Sequence, residues 1–209
     1  MKSVGSFTID ELRNGLDPRS SKFARRLLAE MGTYEDFLEG LYEELEDCVK
    51  RIEEDPKVHV NDSEDRVSRE IINMLSRWYD ASHDELIGGH SDIVVRGPRG
   101  FLWVAEAKIH GGYDYMLKGF QQLTTRYMRG TPNADQGALL MYIRNGDTAG
   151  VVEKWAAKID AESLTNYERM ACPVRQELGF RTSHRHSSSG RPVLIRHIGI
   201  SMHWDPQDV

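Results

Sequence analysis

Three residues of this chain have the types and spacing for metal-assisted chemistry on a phosphodiester: Asp92, Glu106 and Lys108. Asp92 opens a short apolar run, Ile93-Val94-Val95, and Glu106-Ala107-Lys108 closes another that begins at Phe101. Gly97, Pro98 and Gly100 lie between the runs, so the pattern predicts a β-hairpin. Side chains alternate along a strand, so Glu106 and Lys108 point one way and Ala107 the other. Charges beside such apolar neighbours are costly to bury unless they are paired or bind a metal. Hydrolysing a phosphodiester needs a nucleophile, neutralisation of the phosphate charge and help for the leaving oxygen. One or two divalent cations supply all three. Magnesium takes hard oxygen ligands and is commonly held by one or two carboxylates plus the substrate phosphate. Asp92 and Glu106 are the expected carboxylates, with the Ala107 carbonyl as a further ligand. Lys108 is the expected group for orienting the nucleophile or stabilising the phosphate. The plain alternative is a same-face Glu106–Lys108 ion pair at a sheet edge, with Asp92 capping the strand start.

Helices must bring the remaining groups to this hairpin. The spacing predicts one helix over 17–30, capped by Asp17 and started by Pro18. A second runs over 34–54 with Phe37, Leu41, Leu45, Cys48 and Ile52 on one stripe. After a linker over 55–61, a third helix is expected over 62–79, with Val67, Ile71, Met74 or Leu75, and Trp78 facing inward. Glu64 lies one turn before Val67 on that inward face and Glu70 flanks it, so Glu64 is the expected helix carboxylate for completing a metal site. Residues 81–89 read as a loop. A helix over 113–129 follows the hairpin, and its polar face aligns Lys118, Gln122 and Arg126 at i, i+4 and i+8. Ala138 to Ile143 reads as a strand buried on both sides, and 148–164 as a helix. Two strands, 180–186 and 193–203, form a closing hairpin. Together these predict a mixed α/β sheet covered by helices, with an N-terminal helical extension over 1–56 and the sheet domain over 57–209.

Ser91-Asp92-Ile-Val-Val followed by Val104-Ala-Glu106-Ala-Lys108 resembles the PD-(D/E)xK nuclease superfamily, the restriction-endonuclease-like fold. Members put the Asp near the start of one core strand and the Glu-x-Lys on the next. They often carry a Glu on the helix before the sheet, which Glu64 matches better than Glu70. Many have a following helix with a Gln and a Tyr near the scissile phosphate, and Gly119 to Tyr127 is similar to that element through Gln122. No proline precedes Asp92, and the Gln-to-Tyr spacing departs from the usual one. The resemblance covers about residues 61–143. It implies a Mg2+- or Mn2+-dependent endonuclease acting on DNA, in a setting such as bacterial antiviral defence. Its catalytic residues would be Asp92, Glu106, Lys108, Glu64 and Gln122, with metal held by Asp92, Glu106, the Ala107 carbonyl and Glu64. A homodimer fits cleavage of both strands of a duplex. The rivals are an RNA-cleaving toxin or effector on the same site, and a non-catalytic binding module on the same fold.

Composition bounds the rest. Two cysteines without CxxC spacing, Cys48 and Cys172, argue against a thiolate zinc site and fit a reducing cytoplasm. No apolar run has membrane-spanning length, and the stretch from Met1 to Glu11 lacks the apolar core of a signal peptide. The net charge of −6 argues against a general nucleic-acid-coating protein but is compatible with a nuclease whose metals supply positive charge. Residues 34–55 carry ten acidic and two basic residues, which is either a solvated face or a docking surface for a protein partner. The closing hairpin carries Arg181, Arg185, Arg191 and Arg196, of which Arg185 and Arg196 join Lys118 and Arg126 as candidate phosphate contacts. His184, His186, His197 and His203 read as part of a surface hairpin in preference to a zinc site. His90 and His110 border the expected site. Tyr127 reads as core.

Overall fold

The computed structural model describes residues 8–15 and 17–208. Part of the N-terminal stretch read for a leader, residues 1–7, lies outside the described residues. Helices α1 (Ile9–Arg13), α2 (Pro18–Met31) and α3 (Tyr34–Glu54) come first, then a 3-10 turn (Pro56–His59) and α4 (Glu64–Leu75). Strands β1 (Asp80–Ser82), β2 (Glu85–Leu86), β3 (His90–Ser91), β4 (Ile93–Arg96) and β5 (Leu102–Ile109) lead to α5 (Tyr113–Gln122), which runs into a π turn (Leu123–Tyr127). β6 (Gln136–Ile143), α6 (Thr148–Asp160), β7 (Glu168–Ala171), β8 (Gly179–Arg185) and β9 (Pro192–Ser201) complete the chain.

The fold is α/β. Seven strands form one mixed sheet in the order β1-β4-β5-β6-β9-β8-β7, and β2 pairs with β3 apart from it. The β4–β5 hairpin is antiparallel, with Ile93 opposite Ala105 and Val95 opposite Trp103. β6 pairs parallel to both β5 and β9, which is why its run from Gly137 to Ile143 is apolar and wholly buried. Odd-numbered residues of β4 and β5 (Ile93, Val95, Trp103, Ala105, Ala107) pack with the stripes of α3 and α4. The even-numbered Val94 and Val104 pack on the opposite face under α5 and α6. Of the N-terminal helices, α3 therefore shares one hydrophobic cluster with the sheet. Among the described residues, no helix is long and apolar enough to cross a membrane.

Several elements differ from the sequence expectation. α4 stops at Leu75, where the Ser76 hydroxyl donates to the carbonyls of Ile72 and Ala81 and turns the chain into β1. Trp78 consequently leaves the core and lies exposed beneath the Arg26 guanidinium. The expected loop over 81–89 contains β2 and the end of β1. Short polar strands of two or three residues carry no period that a sequence can display. The helix expected over 113–129 widens into the π turn, with Thr124 and Thr125 hydroxyls bonding back to Phe120 and Gln121 carbonyls. The closing hairpin is no surface ribbon, because β9 inserts between β6 and β8. His184, His186 and His197 are accordingly buried, with the His197 ring stacked on Phe180 and bonded to Trp155 and Thr182. Hydrophobic patterning does not anticipate a histidine filling a core position.

The acidic run on α3 is mostly engaged within the chain. Lys22 and Arg26 pair with Glu44, Lys22 also with Asp47, Arg25 with Glu43, Arg13 with Glu39, and Arg175 with Glu46 and Glu53.

Candidate active site

The β4–β5 register places Asp92 beside Glu106, one residue beyond the Ile93–Ala105 pair. Asp92, Glu106 and Lys108 then share the sheet face beneath α5, while Ala107 points into the opposite cluster. Asp92 is fixed by its own partner strand: its Oδ2 accepts a hydrogen bond from the Ala107 amide at 2.7 Å. Glu64 arrives from the other layer. It is the first residue of α4, after the Ser63 cap. The turn before α4 is pinned to the end of β6 by Arg144, which donates to the His59 and Asp62 carbonyls.

Four oxygens converge on the Lys108 ammonium. Glu106 Oε1 lies at 2.7 Å, the Ala107 carbonyl at 3.0 Å, Glu64 Oε1 at 3.1 Å and Asp92 Oδ2 at 3.9 Å. Glu64 Oε2 accepts from the Ile109 amide at 2.6 Å, and the Tyr115 hydroxyl donates to Glu64 as well. Both oxygens of Glu64 are thus engaged in holding Lys108 and the end of β5. Gln122 and Glu70 make no hydrogen bond or ion pair to this cluster among the described residues, and both are half-buried.

The cluster carries three carboxylates against one ammonium. Glu106 bears the consequence. Its side chain is 3% exposed, and its Oε2 is buried with no hydrogen-bond partner. Burial first, and the neighbouring Asp92 charge second, push its pKa up to about 7 despite Lys108. Burial also raises Asp92, against the Ala107 amide and Lys108, which pull it down. Burial pulls Lys108 down, but the Glu106, Asp92 and Glu64 charges outweigh it and hold the ammonium above its ordinary range. A dication is the ligand such an oxygen-rich, negatively charged set fits, since hard oxygens and a carboxylate with an unpaired oxygen match magnesium or manganese.

Lys108 opens onto a groove of about 540 Å³ lined also by Tyr115, Lys118, Gln121, Gln122, Thr125 and Arg126. The polar face expected on this helix is therefore assembled beside the lysine. Comparison with family models, with curated proteins and with solved structures returns no match. The β2–β3 turn packs against the end of this helix, where Gly88 (φ 70°) lets the backbone approach the Arg126 carbonyl so closely that a Cβ would lie 2.4 Å from it.

The arginines of the last strands lie elsewhere. Arg196 stacks over Tyr42 at 3.5 Å, on the face covered by α3, in a separate hollow of about 520 Å³. Arg185 is exposed at the β8–β9 turn. Neither reaches the groove beside Lys108. Tyr127 is buried among the residues under α5, as expected. Sequence reasoning passed over Tyr115, and also over Asp65 and His83. One ligand atom from each of the latter two lies within 4.8 Å of the other and of a carboxylate oxygen of Asp92. The signal for Asp65 is its place next to Glu64 in a helix's first turn. His83 has none, being a lone histidine in a stretch that reads as loop.

Proposed function

We propose that this chain is a magnesium- or manganese-dependent nuclease with a restriction-endonuclease-like core, and that its substrate is DNA. The observation carrying this reading is the convergence of Asp92, Glu106 and Lys108, with Glu106 buried and one of its oxygens unpaired. The order of parts agrees with the resemblance: a helix carboxylate, an Asp at one strand's start, Glu-x-Lys on the next strand, then a helix whose glutamine lines the adjoining groove.

Asp92, Glu106 and the Ala107 carbonyl would hold the cation. When bound, it supplies Lewis acidity toward the phosphate and a nucleophile at neutral pH. Asp92 is oriented for this by the Ala107 amide. Lys108 borders the groove, so its ammonium can stabilise negative charge developing on a phosphate lying there. Glu64 acts as a positioning residue, bonding Lys108 Nζ and the Ile109 amide together. Lys118 and Arg126 supply backbone contacts that set affinity without reading sequence. Defence against foreign DNA is the setting the resemblance implies.

The test is plasmid incubation with Mg2+ or with EDTA, alongside RNA of similar length. Wild type is expected to cut DNA only with the metal. Asp92→Asn and Lys108→Met are expected to lose at least about a hundredfold in rate, the scale of removing a transition-state partner. Equal cutting by wild type and both variants would end the assignment, and preferential RNA cleavage would replace the substrate.

A further inference from the structure

The hollow on the α3 face of the sheet, away from Lys108, has no part in the site beneath α5. Its volume of about 520 Å³ suits a small molecule. One wall is α3, and the other is β9 with the chain that follows β7. Arg175 ties the two walls together: its side chain is buried and pairs with Glu46 and Glu53 of α3. Leu38, Val174 and Ile198 give the lining apolar surface. Val174 is 60% exposed there, a large apolar side chain with nothing over it among the described residues.

Within this hollow Arg196 has a guanidinium with nothing to hold. It sits over the Tyr42 ring at 3.5 Å. That contact occupies the face of the group and leaves its edge of N–H donors. Among the described residues Arg196 makes no hydrogen bond or ion pair, and its Nε is out of solvent without a partner. The β8–β9 register sets Arg181 directly opposite Arg196, on the same side of the sheet. Like charges in that position destabilise a sheet. Arg181 donates its Nε to the Ala171 carbonyl and has no ion pair among the described residues. The nearby acids of α3 are engaged elsewhere: Glu39 and Glu43 by Arg25, Asp47 by Lys22 and Glu46 by Arg175.

We propose that this hollow binds a small molecule bearing one oxyanion group, held by the free edge of Arg196 with Arg181 beside it, and an apolar body packed on Leu38, Val174 and Ile198. A carboxylate and a phosphate monoester share this chemistry, because the planar fork of a guanidinium matches either. The acidic wall of α3 disfavours a polyanion such as a nucleic-acid strand. The site does not rest on the nuclease reading.

Benzoate and phenyl phosphate are the probes, titrated calorimetrically into the full-length chain in EDTA. Phenol and inorganic phosphate are the controls, each lacking one half of the ligand. At least one probe is expected to bind at a single site with a Kd of about 1 mM or below, and the one that binds more tightly names the head group. The controls should bind at least about tenfold more weakly, as should the tighter probe to Arg196→Gln and to Val174→Asp. Arg196→Lys should recover part of the loss, keeping the charge without the fork. Lys118→Ala, on the other face of the sheet, should bind the probe as wild type does. Val174 is exposed, so its variant should keep the wild-type melting curve and guards against a folding defect in the Arg196 variants. Failure of both probes to bind, a control that binds as well as its probe, or binding that survives Arg196→Gln and is lost in Lys118→Ala overturns the proposal. So does a thymidine oligonucleotide that displaces the probe from wild type and binds through Arg196, since it would assign the hollow to nucleic acid. Every outcome is read without cleavage and leaves the nuclease reading standing.

Discussion

Glu106 is where the electrostatics of the site concentrate, and its proton is measurable. A carboxyl with an ordinary pKa of 4.5 in the unfolded chain stands near 7 in the folded one. Between those values the folded state holds the proton more tightly, so stability is full below about pH 4.5 and falls as pH rises toward 7. In EDTA, the melting temperature is expected to drop across that window by roughly 5–10 °C, taking a shift of this direction as a few kcal/mol. Glu106→Gln should flatten the slope. Mn2+ at about a hundred times its Kd should recover a comparable amount at pH 8 and little at pH 5, because it needs the ionised carboxylate. A wild-type melting curve in EDTA that is flat in pH would mean that Glu106 is not the strained group. The types and strand spacing of Asp92, Glu106 and Lys108 were legible in the sequence, because alternation alone aligns two of them. That Glu64 grips Lys108 with both oxygens engaged was not, since it depends on how two layers meet.

Among the elements, α5 sets the tolerance of the site. Gly119 faces the lysine: an added Cβ would meet Lys108 Cγ at 2.8 Å, its Cε at 3.1 Å and Glu106 Cγ at 3.4 Å. Alanine is the better helix former by about 1 kcal/mol, so Gly119→Ala should leave thermal stability nearly unchanged. On the nuclease reading, displacing Lys108 by a fraction of an ångström to an ångström should instead cut the cleavage rate by up to about a hundredfold. Loss of fold in place of rate would assign the glycine to packing alone. Long periodic elements such as α3 and β6 matched the sequence reading to within a residue or two. What escaped were β1, β2, β3 and β7, two to four residues each: β1 and β7 add to the edges that β4 and β8 offer, and β2 and β3 pair only with each other. The π turn escaped as well, since its cause is a pair of threonine hydroxyls and not a shift in hydrophobic period.

At the scale of the molecule, the sheet cannot be subdivided without exposing core. Phe37, Leu41, Leu45 and Ile52 of α3 are nearly inaccessible and cover Trp103, Ala105 and Leu140. A fragment beginning at residue 57 is therefore expected to lack a cooperative melt, as is a chain stopped at residue 190. A cooperative transition in either would show an independent unit. The sequence displayed the apolar stripe of α3 but not its target, because a stripe says that a face is covered and not by what.

The position of β9 has a temporal consequence. It is the last strand of the described residues, yet it lies in the interior of the sheet, between β6 and β8. While the chain is being made, β6 has nothing on one flank until residues 192–201 have cleared the ribosome, and the β5–β6 ladder beneath the carboxylates has no finished support. On the nuclease reading, the carboxylate cluster is thus without its finished scaffold until β9 has been made and has inserted beside β6.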